Sequence, residues 1–164
     1  MSEPTKGFES HEAGRYLSFT LCGEEYAIPL LHVKEVIGYS EPTPIPQAPP
    51  HFKGVINLRG QVISIVDLRS KLKLPKMEVA PETSIVILDL APFCLGVIVD
   101  SVDCVMPLNP SEIDTSSDIE NFVKGNHLLG VAKRDKKLIL LLDIKATLEV
   151  SDVKYLKDES AKAA

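Results

Sequence analysis

One stretch of this chain occurs twice, and the two copies align without a gap. Residues 54–72 (GVINLRGQVISIVDLRSKL) match residues 130–148 (GVAKRDKKLILLLDIKATL) at an offset of 76 positions. The identical pairs are Gly54 and Gly130, Val55 and Val131, Ile63 and Ile139, Asp67 and Asp143, and Leu72 and Leu148. Self-similarity of this kind is typical of duplicated supersecondary units. The repeat therefore predicts two similar units, and a single undivided sheet would contradict this interpretation.

Each copy has the pattern of two short strands around a turn, followed by a short helix. In the first copy, segments rich in Val and Ile flank Arg59 and Gly60, and glycine allows a tight hairpin turn. Asp67 then lies where a side chain can cap a helix, and Asp143 holds the same place in the second copy. Because Val and Ile are abundant and aromatic residues make up only 5% of the chain, we expect a mainly β fold with an aliphatic core.

The strand pattern extends over the rest of the chain and defines two β-units, residues 15–73 and 83–149. Five short, twisted strands tend to close into a small barrel, because closure removes exposed edges. The sequence thus predicts an all-β fold of two five-stranded barrels with short helices at the barrel ends. A unit of roughly 60 residues buries only about 60% of its unfolded surface, so we expect the two to pack together and leave a groove. Residues 1–14 predict a flexible leader, and residues 150–164 a tail or a short helix.

Residues 42–50 hold five of the twelve prolines. Each proline fixes φ near −65° and removes a backbone donor, so neither a helix nor a central strand fits this segment. An extended, polyproline-like loop is predicted. Such a loop serves either as a rigid spacer or as a docking ridge, and the sequence leaves both open.

Charge and hydropathy argue against several classes of protein. The net charge is −5, whereas a nucleic-acid binder generally shows a basic footprint. No apolar run approaches the roughly 20 residues that a membrane helix needs, and the N-terminus lacks the apolar core of a secretory signal. Three cysteines make an odd number, which predicts buried thiols in a reducing compartment. We therefore expect a cytoplasmic protein without nucleic-acid binding or membrane insertion.

Sequence patterns for catalysis are missing as well. The chain contains no Gly-rich phosphate loop, no G-x-S-x-G segment and no His or Cys residues at zinc-ligand spacing, so no catalytic residue, metal or cofactor is predicted. Asp100 and Asp103 form the best carboxylate pair, but residues three apart on a strand face opposite sides. A small enzyme that uses this pair is one alternative, and a barrel that binds RNA is another, although the acidic charge argues against it.

Exposed aliphatic residues indicate a binding module instead. Val33 and Val36 lie among charged neighbours, and Ile45 lies within the proline loop. Aliphatic patches rimmed by charge are typical of partner sites. Arg59, at the tip of a predicted turn, either binds a partner's carboxylate through two hydrogen bonds or is a solvated turn residue, and the residues alone leave both open.

Residues 54–69, GVINLRGQVISIVDLR, resemble the N-L-R-G-x-[VI]-x-x-[IV]-[VI]-D-L-R segment of CheW, the family of bacterial chemotaxis coupling proteins. Residues 25–36, 52–54 and 95–102 resemble the family in order and spacing. The resemblance covers residues 15–149 as one CheW-like domain. It implies a fold of two five-stranded, SH3-like barrels.

The resemblance also implies a function. Members of the family are non-enzymatic adaptors that link the cytoplasmic signalling tips of chemoreceptors (methyl-accepting chemotaxis proteins) to the regulatory domain of the histidine kinase CheA. They bind the receptor in the groove between the barrels and the kinase at the barrel ends. The protein would then be cytoplasmic and associated with the membrane receptor array through its partners. A coupling protein of a non-flagellar chemosensory system, such as one that controls pilus motility, is the alternative.

The family's contact positions can be matched residue by residue. The receptor contacts correspond to Val33, Glu35, Val36, Gly54, Arg59 and Gly96. The kinase contacts correspond to Ile45 and Ile119.

Overall fold

The computed structural model of the protein describes residues 14–76, 78–90, 93–115, 128–147 and 152. Within these residues the fold is mainly β, as predicted. The strands are β1 (Arg15–Leu21), β2 (Glu24–Pro29), β3 (Val33–Gly38), β4 (Phe52–Leu58), β5 (Gln61–Asp67), β6 (Ser84–Leu90), β7 (Phe93–Val99), β8 (Ser101–Pro107), β9 (Ile113–Asp114), β10 (Leu128–Arg134) and β11 (Lys137–Leu142). The short helices are α1 (Leu68–Lys71) and α2 (Ile144–Thr147), with single 3₁₀ turns at Leu30–His32 and Pro110–Glu112.

The chain divides into two compact units, which are described separately. The first unit takes in the described residues up to His32 together with Val102–Thr147. The second unit takes in Val33–Ser101 together with Asp152. These boundaries differ from the predicted ones, residues 15–73 and 83–149, because each unit combines segments from both halves of the chain.

The second unit is a five-stranded sheet in the order β3-β6-β7-β5-β4. Its pairs are antiparallel except β5 with β7, which run parallel. An ion pair between Glu35 on β3 and Arg59 in the β4–β5 turn joins the two edges of the sheet, so the sheet curls toward closure. The Asp67 carboxylate accepts a hydrogen bond from the Arg69 amide at 3.1 Å and caps α1, as predicted.

The first unit has a six-stranded sheet in the order β8-β1-β2-β11-β10-β9, where five strands were predicted. The additional strand, β9, is only two residues long and pairs with Val131 and Ala132 of β10. The second unit has a single bridge at the corresponding place, between Thr43 and Val55. Asp143 accepts from the Ala146 amide at 3.1 Å and caps α2, which confirms the second predicted cap.

The predicted repeat is confirmed in three dimensions, and its two halves exchange strands. In the second unit β5 runs parallel to β7 with Ile65 opposite Gly96, and in the first unit β11 runs parallel to β2 with Leu141 opposite Ala27. The hairpin β1–β2 is therefore the counterpart of β6–β7. Each hairpin stays in one unit, while the strand that follows it, β3 or β8, belongs to the other unit.

Aliphatic side chains fill both units. The core of the second unit consists of Ile56, Ile63, Ile65, Ile85 and Ile87. The core of the first unit consists of Ala27, Met106, Leu108, Ala132, Ile139 and Leu141. The aliphatic core predicted from the composition is confirmed.

Several predicted features fall outside the described residues. These are residues 1–13 of the leader and, apart from Asp152, the tail from residue 148 onward. In the described part of the chain, no helix has both the length and the apolar content needed to cross a membrane. The prediction of buried thiols is wrong for Cys104, which is exposed on β8, while Cys22 and Cys94 are half-buried.

Candidate functional site

Strand β3 carries three of the six positions matched to receptor contacts. Val33 and Glu35 are half-buried, whereas Val36 is 41% exposed, a large fraction for an aliphatic side chain inside a strand. Among the described strands β3 lies at one edge of its sheet, beside β6, and its register shifts between Val33 and Glu35. A strand at a sheet edge is a place where another protein can pack.

Arg59 lies in the turn between β4 and β5. Its φ is 51° and that of Gly60 is 88°, so both central residues of this two-residue hairpin turn have positive φ, which defines a type I′ turn. Asn57 supports the turn by accepting a hydrogen bond from the Gly60 amide at 2.8 Å. In the first unit, Asp135 and Lys136 also have positive φ in the corresponding turn. The unusual backbone of Arg59 thus belongs to the hairpin and is not by itself a sign of function.

The structure brings Glu35 and Arg59 together. The Arg59 Nη2 atom donates to Glu35 Oε1, and the Arg59 side chain is 70% exposed while that of Glu35 is 26% exposed. An ion pair this open to water contributes roughly 0–1 kcal/mol to stability. Breaking this ion pair therefore costs little free energy, and each charged group can bind a group of a partner protein instead.

Gly54 and Gly96 are buried, unlike the other matched receptor positions. Gly54 has a φ of 140°, and a Cβ built there would lie 2.0 Å from the Thr43 carbonyl oxygen. At Gly96 a Cβ would lie 2.7 Å from side-chain carbons of Ile65 and Ile85. Both glycines permit close packing beneath the surface, so any influence on a partner acts through the residues above them.

Of the two positions matched to kinase contacts, the structure describes Ile45 alone. Ile45 is half-buried within the proline segment, residues 42–50, which has no helix or long strand, as predicted. Thr43 and Val55 exchange two backbone hydrogen bonds of 2.8 and 2.9 Å and tie this segment to β4. Ile119 lies outside the described residues.

The two carboxylates considered for catalysis have separate partners. Asp100 accepts from the guanidinium of the buried Arg69, at 2.6 Å from Nε and with a second bond from Nη2. Asp103 accepts from the Thr20 hydroxyl at 2.8 Å. Asp100 belongs to the second unit and Asp103 to the first. In the described part of the chain, no three His, Cys, Asp or Glu side chains gather in a group that could hold a metal ion.

Two residues near this site, Val62 and Tyr39, were missed by sequence reasoning. Val62, two residues beyond the Arg59-Gly60 turn, is 56% exposed. Its position at the start of an otherwise buried strand, directly after a turn, is the signal that indicates exposure. Burial, followed by the carboxylates of Glu41 and Asp67, raises the pKa of Tyr39 above its ordinary value of 10.0, so this phenol is neutral at physiological pH.

The profile of the CheW-like domain family matches residues 15–152, which is most of the chain. The chain belongs to the CheW-like domain family. Its relatives include the chemotaxis protein CheW of Bacillus subtilis, 33% identical over 135 residues that cover 82% of this chain and 86% of that protein. The chemotaxis protein CheW of Klebsiella aerogenes is 32% identical over 148 residues, covering 90% of this chain and 89% of that protein. The protein FrzA of Myxococcus xanthus is 26% identical over 138 residues.

A solved structure has the same fold. The crystal structure of the scaffolding protein TtCheW from Thermoanaerobacter tengcongensis superimposes with a TM-score of 0.76 and 28% identity, over 85% of this chain and 90% of that chain. The predicted family and the predicted two-barrel β fold are thereby confirmed. The protein is a member of the CheW family of scaffold and coupling proteins in chemotaxis signalling.

Proposed function

We propose that this protein is a non-enzymatic adaptor that couples the cytoplasmic tip of a chemoreceptor to the regulatory domain of the histidine kinase CheA. One observation carries the proposal: Glu35 of β3 pairs with the exposed Arg59, and Val36, the next residue along β3, is 41% exposed, all at positions matched to the family's receptor contacts. The adaptor would act in the cytoplasm, at the membrane array, through these partners.

These residues suit a receptor tip that offers both an apolar side chain and charged groups. Val36 supplies the apolar contact, and fully burying a side chain of this size contributes about 1.5–3 kcal/mol. Glu35 and Arg59 supply one charge of each sign, so they fix the orientation of the partner more than they add affinity. Val33 supports the strand from a half-buried position.

The adaptor also needs a second contact, and Ile45 in the proline segment is our candidate for the kinase. A segment stiffened by prolines loses little conformational entropy when it binds, which favours a docking ridge over a spacer. Individually modest contacts suffice, because linked copies in an array raise the effective concentration of each partner. The adaptor's influence on the kinase would be a shift between active and inactive populations.

The charge at Arg59 provides the test of this function. We expect Arg59→Glu to weaken binding to a receptor signalling fragment at least tenfold, about 1.4 kcal/mol, because two acidic groups would then face the same partner. The measurement is a titration of the fragment by calorimetry, with thermal unfolding monitored in parallel. The fold should be unaffected, since Arg59 lies at the tip of a turn and is mostly exposed.

The first unit offers a matched control. Asp135 holds the place of Arg59 in the equivalent turn, with nearly the same φ. Asp135→Lys makes a charge change of the same size at an exposed turn and should alter receptor binding less than twofold. Unchanged binding and unchanged kinase stimulation in Arg59→Glu would count against the assigned role, and so would an equal loss in both variants.

The similarity to FrzA favours a second candidate, in which the same coupling serves a non-flagellar chemosensory system. The partners would belong to the same classes, and only the output would differ. Deletion of the gene distinguishes the two: loss of directed swimming supports flagellar chemotaxis, whereas loss of directed surface motility with normal swimming supports the second candidate.

A further inference from the structure

A buried carboxylate near the C-terminus joins three distant segments of the second unit. Asp152 has no exposed surface. Its Oδ1 atom lies 2.5 Å from His51 Nε2, and its Oδ2 atom lies 2.6 Å from Lys71 Nζ. His51 directly follows the proline segment, Lys71 ends α1, and Asp152 is far along the chain from both.

A charge buried this completely indicates a specific role for its contacts. Removing a carboxylate from water is costly, and only well-placed partners offset that cost. Lys71 supplies a cation and is itself almost fully buried, so it compensates the charge. The contact with His51 reaches the end of the proline segment.

The proline segment depends on ties at its ends. Five of its nine residues are prolines, which have no backbone N–H, so the segment cannot hold itself in place with a ladder of its own. At one end Thr43 is bonded to Val55. At the other end the His51 carbonyl accepts from the Asp67 amide at 2.8 Å, while the His51 ring contacts Asp152.

We propose that Asp152 is a positioning residue: by holding the His51 ring, it fixes the proline segment in the conformation that presents Ile45 to the kinase. The kinase part of this inference rests on the proposed function. The positioning part does not, because it concerns only contacts within the second unit. Asp152 itself touches neither partner in this account.

The experiment compares Asp152→Asn with a matched control in the same unit. Asp100→Asn also removes the charge of a carboxylate paired with a buried cation, and its partner Arg69 donates to the Pro75 carbonyl at 3.0 Å, beyond α1 and outside the proline segment. Amide hydrogen exchange of Val55 and Asp67 reports on the two ties without any partner present. Binding of the kinase regulatory domain and of a receptor fragment is titrated for each variant.

The proposal predicts that Asp152→Asn weakens binding of the kinase domain but hardly affects binding of the receptor fragment. In Asp152→Asn, exchange at Asp67 should accelerate at least tenfold relative to amides of the first unit, and kinase binding should weaken about tenfold while receptor binding changes less than twofold. Asp152→Glu should recover part of the loss, because it restores the carboxylate. Equal effects of Asp152→Asn and Asp100→Asn, or equal losses for both partners, would overturn the proposal.

A second variant guards against simple misfolding. His51→Ala cuts the tie to the segment but leaves Asp152 paired with Lys71, so the buried charge stays compensated. It should reproduce this difference between kinase and receptor binding, and His51→Gln, which keeps a donor, should partly reverse it. If the unmodified protein fails to bind the kinase domain, the proposed function fails, and the exchange result still decides whether Asp152 positions the segment.

Discussion

The two units of this protein pair their equivalent strands in the same way, but different side chains fill their cores. Where the second unit has Gly96, the first has Ala27, and both residues are buried opposite a leucine or isoleucine of the parallel strand. Gly96 is surrounded by isoleucines, whereas Ala27 is paired with the small Ser18 across the hairpin. The shared strand pairing therefore fixes how much space the core has at this position. The neighbouring side chains determine whether a glycine or an alanine fits into it.

The surfaces of the two units follow another rule. Strand β8 holds the place of β3 at the sheet edge, with Val102 and Val105 in the spacing of Val33 and Val36. Val105 is 48% exposed and Leu138 of β11 is 53% exposed, close to the 41% of Val36 and the 56% of Val62. Both units thus expose aliphatic residues at these equivalent positions. The charges differ, because Arg59 is replaced by Asp135 and Glu35 by Cys104. In the adaptor proposed above, selectivity for the receptor would therefore rest on the charges of the second unit.

The largest expected effect distinguishes two glycines that hold equivalent places. Gly54→Ala should destabilise the protein by about 4 kcal/mol or more, because the new Cβ would overlap the backbone of Thr43 and the φ of 140° is unsuitable for alanine. Gly130→Ala should cost less, since a Cβ there would lie 2.7 Å from the Ile113 side chain and 2.9 Å from the Asp114 carbonyl oxygen, against 2.0 Å from the Thr43 oxygen at Gly54. Urea unfolding of both variants is the measurement. Equal losses of unfolding free energy would contradict the prediction that Gly54 is packed more tightly than Gly130.

A smaller effect tests how the core volume is divided. Gly96→Ala should cost about 2 kcal/mol, because its methyl group would meet Ile65 and Ile85 at 2.7 Å. Adding Ile65→Val removes the Cδ1 atom that causes one of these contacts and should recover part of the loss. Chemical denaturation of the single and double variants checks this. No recovery in the double variant would mean that the backbone, and not the side chain, limits the space.

The smallest effect concerns pH and the first unit alone. Burial, followed by the charges of Glu24 and Cys22, raises the pKa of Tyr26 above 10.0, whereas its counterpart in the second unit is the non-ionisable Leu95. The neutral phenol is the form that folding favours, so its contribution is complete below pH 10 and is lost as the pH rises through the raised pKa. Tyr26→Phe should flatten the decline in unfolding free energy above pH 10. An identical decline in both proteins would assign the alkaline loss to other groups.

Local features of the fold were predictable because short-range chemistry determines them. The two helix caps at Asp67 and Asp143, the Arg59-Gly60 turn and the strand pattern all follow from neighbouring residues. The exchange of β3 and β8 between the units was not predictable. A sequence repeat shows which residues resemble each other, but the two possible partners of each third strand have nearly the same pattern.

The candidate site shows the same limit. Sequence reasoning selected Glu35 and Arg59 as two separate charges, and the structure joins them because the sheet curls until its edges meet. Gly54 and Gly96 were matched as contacts, yet both are buried, since a motif records that glycine is required without giving the reason. Asp152 was missed because a carboxylate in a polar tail has the pattern of an exposed residue.

The central claim is that this protein joins a receptor to a kinase and converts no substrate. The most direct test is sedimentation of vesicles that display a receptor signalling fragment, mixed with CheA, with and without this protein. The account predicts that CheA sediments at high yield only when the protein is present, and that Arg59→Glu reduces this yield while Asp135→Lys does not. CheA that sediments equally in its absence, or remains in solution in its presence, would contradict the claim.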